Sequence, residues 1–226
     1  MFSKLLTSAL IAGAVAGLIA ALLQLYFLQP VLLHAELFEE GTLLHFGPAP
    51  MSEMVVDLPG FDPQRDLLSV AFSMLIYAGF GLMMVAGFSF AEGRGAVINA
   101  RTGLIWGVCG FIAMHMAPGF SFPPEVPGVA AADITARQIW WVLTVATAAI
   151  AMALIAWGTG PVSWLAAIVL LLAPQVIGAP QPEIMTGPAP TELGSLYTAR
   201  ALAVNLMGWS FLGVLAGHFW STSSED

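Results

Sequence analysis

The sequence predicts an all-α protein, a polytopic transmembrane helical bundle of about six spans. Hydrophobic residues make up 58% of the 226 residues and charged residues only 9%, whereas about a quarter of the residues in a soluble domain are charged. The apolar residues also fall into runs of about 20, the length that crosses a bilayer as a helix. We therefore expect a single transmembrane domain that occupies the whole chain, residues 1–226.

The individual spans follow from the apolar runs and from the charges and prolines beside them. The first run follows Lys4 and ends before Pro30, and it is longer than the core of a signal peptide, so we interpret it as a retained helix. Between Gln138 and Pro182 no residue is charged, and the turn at Gly158–Pro161 divides this stretch into two helices. The predicted spans are 5–28, 67–90, 102–117, 139–157, 162–177 and 201–220. The fifth is short, and the bundle has five spans if it does not cross.

Six spans place both termini on one side of the membrane. The positive-inside rule does not decide which side, because three lysine or arginine residues fall on each. The three long connections, 29–66, 118–138 and 178–200, share one side and hold eleven of the fourteen acidic residues. We expect these loops in the periplasm, and both termini in the cytoplasm, of a bacterial inner membrane.

The three long loops resemble one another, which predicts a threefold repeat of helical hairpins. Each begins where an apolar helix meets a proline, and each ends with an arginine at the start of the next helix. The prolines are Pro30, Pro118 and Pro174, and the arginines are Arg65, Arg137 and Arg200. Internal repeats are frequent in transporters. The alternative is that any loop of this kind contains turn residues and ends in an arginine whose head reaches the interface.

Small residues spaced by four predict close packing between helices in lipid. The pairs are Gly13 and Gly17 in the first span, Gly103 and Gly107 in the third, and Gly213 and Gly217 in the sixth. Deep in the spans there is no Asp, Glu, Lys or Arg. This argues against a proton- or sodium-driven carrier with a carboxylate at the midplane.

The segment after the first span is rich in groups that bind metal ions. His34, Glu36, Glu39 and Glu40 lie within two helical turns, and His45 follows them. In a helix Glu36 and Glu40 share one face, and imidazole with carboxylate suits Co²⁺, Ni²⁺ or Zn²⁺. The alternative is an amphipathic turn beside the membrane whose acids are solvated.

A second group of candidate ligands stands at the end of the third span. His115 lies between two methionines and shares a helix face with Gly103 and Gly107, so it should point into the bundle. Thioether and imidazole together suit a soft ion such as Cu(I). The alternative is that the methionines simply fill space. His218, near the cytoplasmic end of the sixth span, is either a ligand on the exit side or an interfacial histidine.

Motifs of the common enzyme classes are missing from the sequence, so we expect no enzyme. There is no nucleophile elbow, zinc-protease motif, phosphate-binding loop or C-x-x-C pair. The lone Cys109 cannot form a disulfide framework and is interpreted as packing. A net charge of −8 disfavours nucleic acid as a partner.

Three stretches of sequence carry a resemblance to a known family. They are Leu25–Glu40; Pro127-Gly128 with Ala132-Asp133, Ala136-Arg137-Gln138 and Trp140-Trp141; and Pro190–Glu192 with Asn205 and Trp209. With these motifs the chain resembles, over nearly its whole length, the family of probable cobalt transporter subunits named CbtA.

The resemblance implies a subunit of a bacterial inner-membrane transporter that supplies cobalt for cobalamin synthesis. Cobalt ion would be the transported substrate, with no organic cofactor, and the partner would be a small single-span CbtB-like subunit with a histidine-bearing tail. Members often carry a histidine near the Pro-Gly pair of the second long loop. Here residues 121–124 have none and the nearest is His115, which puts a shared ligand role for this loop in doubt.

From the residues and the resemblance together we expect a permease-like protein that binds a divalent metal ion. The acidic loops would gather cations, Glu36 with His34, Glu39 or Glu40 would supply the first ligands, and His115 would receive the ion at the mouth of the bundle. A homo-oligomer is compatible with the sequence. The alternatives are a non-transporting membrane scaffold and a transporter of another metal such as nickel or copper.

Overall fold

A computed structural model describes residues 2–45 and 58–224, with side chains described for 6–45 and 58–222. This part of the chain consists of helices and the loops that connect them, and it contains no strand. The α-helices are α1 (Phe2–Leu23), α2 (Gln29–Glu39), α3 (Pro63–Glu92), α4 (Ala100–Phe111), α5 (Ala117–Ser121), α6 (Ile134–Trp157), α7 (Gly160–Ile177) and α8 (Thr191–Ser224). Two short π-helical segments, Gln24–Leu28 and Ile112–Met116, join α1 to α2 and α4 to α5. Residues 46–57 of the first predicted loop lie outside the described part.

Within residues 2–45 and 58–224, six continuous helical stretches are long and apolar enough to cross a membrane, which confirms the predicted fold class. They are Leu6–Glu39, Pro63–Glu92, Ala100–Ser121, Ile134–Trp157, Gly160–Ile177 and Thr191–Thr222. The short fifth stretch is among them, with 18 residues. At 1.5 Å per residue it extends about 27 Å, close to the thickness of the hydrocarbon core of a bilayer.

The prediction that Pro30 ends the first helix is wrong. The helix passes through Pro30 and continues to Glu39, and the third span likewise passes through Pro118 and ends at Ser121. In both places a π-helical segment precedes the proline. In a regular α-helix the proline ring would clash with a carbonyl group of the preceding turn, and that carbonyl group would lack its N–H donor. The wider π turn shifts this carbonyl group, so the helix continues past the proline.

The helices therefore extend into the regions predicted as long loops. Asp62 caps α3 by accepting a hydrogen bond from the backbone N of Arg65, at 2.9 Å, and Asp133 caps α6 through the backbone N of Ala136, also at 2.9 Å. Arg65 and Arg137 thus stand in the first turn of their helices, as the hairpin repeat requires. Arg200 lies well inside α8, which begins at Thr191. The threefold repeat stays a prediction.

The chain divides into two compact units. The first, which we call the glycine unit, consists of Met1–Phe27, Gly60–Phe111 and Ala203–Asp226. The second, the cavity unit, consists of Leu28–Pro59 and Ile112–Leu202. Two of the boundaries, after Phe27 and after Phe111, fall at the π-helical segments.

Close contacts between helix backbones hold the glycine unit together. A Cβ atom added at Gly13 or Gly17 would overlap backbone atoms of α3, and one added at Gly103 would overlap the carbonyl oxygen of Gly213. Ser73 adds a buried hydrogen bond from its Oγ to the carbonyl oxygen of Gly17, at 3.1 Å. Gly107, Gly213 and Gly217 are equally close to backbone atoms of the facing helix. Each of the six glycines singled out in the sequence therefore lies at a helix–helix contact.

Polar side chains and prolines hold the cavity unit together. The amide of Gln175 on α7 accepts a hydrogen bond from Ser121 Oγ at 2.6 Å and donates one to the carbonyl oxygen of Ala117 at 2.9 Å. The indole of Trp140 on α6 donates to the carbonyl oxygen of Pro174 at 3.3 Å. One acceptor carbonyl belongs to Pro174 and the other directly precedes Pro118, so these bonds tie α5, α6 and α7 together beside their prolines.

Candidate metal-ion site

A cavity of about 500 Å³ lies within the cavity unit. Its wall comes from Leu32 on α2, from the second π-helical segment and α5, from the loop that follows them, and from the first turns of α6. Side chains with polar, soft or aromatic groups line it, namely Met114, His115, Phe122, Glu125, Arg137 and Trp141. A cavity of this size falls in the range of small-molecule sites.

The second π-helical segment positions His115 and Met114 at the cavity wall. Both residues belong to Ile112–Met116, where the helix widens before Pro118. Segments of π-helix are frequent at functional sites because they displace side chains from the ordinary helical faces. His115 is half-buried, whereas Met116 is 47% exposed and does not line the cavity. The structure thus brings one imidazole and one thioether, and not the second methionine, to this wall.

A charged pair also lines the cavity. The guanidinium of Arg137, in the first turn of α6, lies over the ring of Phe122 with its Cζ 4.4 Å from the ring centroid. One of its Nη atoms is 3.8 Å from a carboxylate oxygen of Glu125. This distance is longer than a hydrogen bond, so charge attraction alone joins the two side chains. The stack on Phe122 holds Arg137 independently of Glu125.

The loop that carries Glu125 is fixed on both sides of that residue. Thr198 Oγ1 on α8 donates a 2.7 Å hydrogen bond to the carbonyl oxygen of Pro124, and Val126 is buried with 6% exposed. Further along, the backbone N of Ala130 donates to the carbonyl oxygen of Thr186 at 2.8 Å. The backbone of Glu125 is thereby held in place, while 36% of its side chain is exposed.

The predicted ligands on α2 do not line the cavity, although Leu32 of the same helix does and Glu39 lies close to Gly128 of the cavity loop. Glu36 is half-buried, and Glu39 and Glu40 are exposed at the C-terminal end of the helix. His34 is half-buried, with its ring centroid 5.6 Å from that of Phe38. None of these four side chains lines the cavity. In the described ranges, 2–45 and 58–224, the structure brings no group of three His, Cys, Asp or Glu residues together in a way that could hold a metal ion.

The remaining candidate histidines are separate from the cavity wall as well. His45 is half-buried and directly precedes the undescribed residues 46–57, and His218 is exposed on α8 in the glycine unit. Of the six residues predicted as metal ligands, only His115 lines the cavity. The predicted metal-ligand roles of the other five stay predictions.

The sequence analysis missed Glu125 as a site residue, and it treated Arg137 as an arginine at a loop end and as part of a family motif but not as a site residue. The missing information was the conformation of the loop between them, which brings two residues twelve positions apart into one ion pair. One pattern in the sequence could have drawn attention to Glu125. It stands between Pro123-Pro124 and Pro127, and prolines that restrict the backbone on both sides of an acid favour a fixed position for it.

The cavity combines groups that bind borderline and soft metal ions with an internal charge balance. Imidazole, carboxylate and thioether are ligands for first-row transition metals. The guanidinium offsets the charge of the carboxylate, so the resting cavity is close to neutral when His115 is uncharged. Such a site can take up a cation without holding it as tightly as a closed set of protein ligands would.

Six apolar helices make the chain a multi-pass membrane protein. Comparison with protein families then identifies its kind: residues 2–221 match the family CbtA, described as probable cobalt transporter subunit. The chain belongs to this family, and the match covers nearly its whole length. Searches of curated proteins and of solved structures gave no match.

Proposed function

We propose that the chain is the permease-like subunit of a transporter that carries cobalt across the bacterial inner membrane for cobalamin synthesis. The observation that carries this proposal is the family match over residues 2–221. The cavity beside His115 adds support, because it presents metal-binding groups next to a helix of a multi-pass bundle. In this proposal the cobalt ion is the transported substrate and not a resident cofactor.

The ion would first be attracted by the acidic residues of the long loops. Glu36, Glu39 and Glu40 stand at the end of a helical stretch of 34 residues, which extends about 51 Å and exceeds the hydrocarbon thickness by about 20 Å. These acids therefore have the length of helix needed to stand in water beside the bilayer. We place this end in the periplasm and both chain termini in the cytoplasm.

The ion would then pass to the cavity, where the imidazole of His115 would replace part of the ion's water shell. Water is the main ligand of a cation in transit, so a site with one imidazole and few further protein ligands favours release. A small single-span CbtB-like subunit is the proposed partner and would supply further ligands from its histidine-bearing tail.

The test is uptake of cobalt-57 by cells that lack other cobalt importers. The chain would be produced alone, with the single-span partner, and as the variants His115→Ala and Glu36→Ala. Ser195→Ala is the control, because Ser195 is exposed, lies outside the cavity wall and bonds only within α8. We expect uptake that depends on the chain, falls about tenfold or more with His115→Ala, and is unchanged by Ser195→Ala.

Competition by other metals identifies the substrate. Co²⁺ should displace the labelled ion at lower concentration than Ni²⁺ or copper does. Stronger displacement by copper would assign the site to that metal, in line with the thioether of Met114 at the cavity wall. No uptake in any combination, with the protein shown to be in the membrane, would instead favour a scaffold that binds partner proteins.

A further inference from the structure

Glu125 and Arg137 face each other as an ion pair in the wall of the cavity. We propose that Glu125 is an exchangeable ligand for the transported ion, and that Arg137 is its resting counter-ion. In the resting state the carboxylate lies beside Arg137, and when an ion enters the cavity the carboxylate turns to bind it. This inference rests on the proposed function, because it names how the same cavity binds and releases its substrate.

The geometry of the pair favours exchange. A carboxylate held firmly by arginine usually makes two short parallel hydrogen bonds, whereas here the nearest N···O distance is 3.8 Å. The Nε atom of Arg137 is buried and makes no hydrogen bond. Glu125 can therefore leave without breaking a hydrogen bond to Arg137.

Arg137 does not need Glu125 to stay in place. Its guanidinium rests on the ring of Phe122, and its backbone lies in the first turn of α6 behind the Asp133 cap. The positive charge consequently remains at the cavity wall after the carboxylate has turned away. It then repels a bound dication and attracts the carboxylate back, and both effects favour release of the ion.

The movement is confined to one side chain. Thr198 holds the carbonyl group of Pro124, and Val126 is buried, so the backbone on either side of Glu125 is fixed. Proline at 124 and at 127 restricts the chain further. A rotation of the Glu125 side chain is the change that the structure leaves open.

The size of the cavity indicates the form in which the ion is bound. A dication with about six waters occupies about 200 Å³, counting about 30 Å³ for each water. The cavity holds about 500 Å³, so the ion fits with most of its hydration shell. His115 and Glu125 then need to replace only one water each, or can bind the ion through one.

The role of Arg137 is tested by binding of cobalt-57 to the purified full-length chain in equilibrium dialysis. Arg137→Gln should bind Co²⁺ about tenfold more tightly, because the competing charge is gone, while the maximal uptake rate in cells falls. Arg137→Lys keeps the charge and should bind as the unchanged chain does. A merely structural role for Arg137 would lower the amount of folded protein without tightening binding.

The role of Glu125 is tested in the same assay. Glu125→Gln should bind Co²⁺ about tenfold more weakly. Adding Arg137→Gln to Glu125→Gln should tighten binding by clearly less than the tenfold expected for Arg137→Gln alone, because the competition for the carboxylate is already absent and only the repulsion of the ion is relieved. Glu183→Gln is the matched control, since Glu183 is an exposed acid of the same unit outside the cavity wall. Its binding should not change.

The outcomes separate this inference from the proposed function. Unchanged binding in Glu125→Gln, or weaker binding in folded Arg137→Gln, overturns the exchange of Glu125 even if the chain imports cobalt. Should Arg137→Gln fail to fold, the Glu125→Gln result alone decides. An absence of cobalt uptake by the unchanged chain and its partner overturns the proposed function, whatever the two variants bind.

Discussion

The two units of the chain use helices in different ways. In the glycine unit, helices approach so closely that a single added carbon atom at Gly103 or Gly213 would overlap a facing carbonyl oxygen. In the cavity unit, several helices contain prolines, and side chains such as Gln175 and Thr198 bond to backbone carbonyl groups at or beside prolines. The first arrangement brings helix backbones into direct contact, whereas the second contains a cavity lined by charged and metal-binding groups. The difference is consistent with stability coming mainly from one unit and the proposed ion handling from the other.

The largest expected effect comes from adding a methyl group to the glycine unit. Gly213→Ala should lower the free energy of unfolding by about 1–3 kcal/mol or more, because the facing atoms belong to a backbone that cannot move aside. Gly79→Ala is the control, since a Cβ there meets nothing within 4 Å and alanine favours the helix by up to about 1 kcal/mol. Thermal unfolding in detergent measures both. Equal loss of stability in the two variants would contradict the close-packing account.

A smaller effect is expected from the amide that joins α7 to α5. Gln175→Leu removes the hydrogen bonds to Ser121 and Ala117 and should cost about 1 kcal/mol, a usual value for polar contacts between membrane helices. Thermal unfolding should show this loss, and cobalt uptake should fall only in proportion to the folded protein. Gln138→Leu, at an exposed position of α6, is the control. A change in the concentration that gives half-maximal uptake would show that Gln175 shapes the ion path itself.

The smallest effect is the most specific to the cavity. Thr198→Val keeps the volume of the side chain but removes the hydrogen bond to Pro124, so the loop that carries Glu125 becomes less fixed. We expect the concentration for half-maximal uptake to rise about twofold to threefold, with less than about 1 kcal/mol lost in stability. Ser195→Ala, which removes only a local bond within α8, should leave uptake unchanged. A larger rise in the half-maximal concentration with Ser195→Ala than with Thr198→Val would argue against a fixed loop.

The membrane fold was predictable from the sequence. In a chain with 9% charged residues, apolar runs of this length are compatible with few structures other than membrane-spanning helices. The packing positions of Gly103 and Gly213 were predictable as well, since their spacing defines a helix face without reference to any partner. Helix ends were not predictable at Pro30 and Pro118. A proline ordinarily interrupts a helix, and only the π turns before these two prolines allow it to continue.

Within the candidate site, the sequence alone could indicate only a residue whose type is unusual at its position. His115 stood out because a histidine within an apolar span is uncommon, and it does line the cavity. Glu125 could not be found in this way, because its pairing with Arg137 depends on how the loop after Ser121 folds back. The ligand role of the three acids at the end of the first helical stretch stays a prediction. Their spacing favours a ligand cluster, and Glu39 and Glu40 are exposed at the end of α2.

The central claim is that cobalt binds in the cavity unit through His115. The most direct measurement is X-ray absorption at the cobalt edge on the purified chain with bound Co²⁺. Imidazole has a recognisable scattering pattern, so the unchanged chain should show one imidazole among oxygen ligands, and His115→Ala should show oxygen ligands alone or bind no cobalt. An imidazole signature that survives in His115→Ala would contradict the account and place the ion at another histidine.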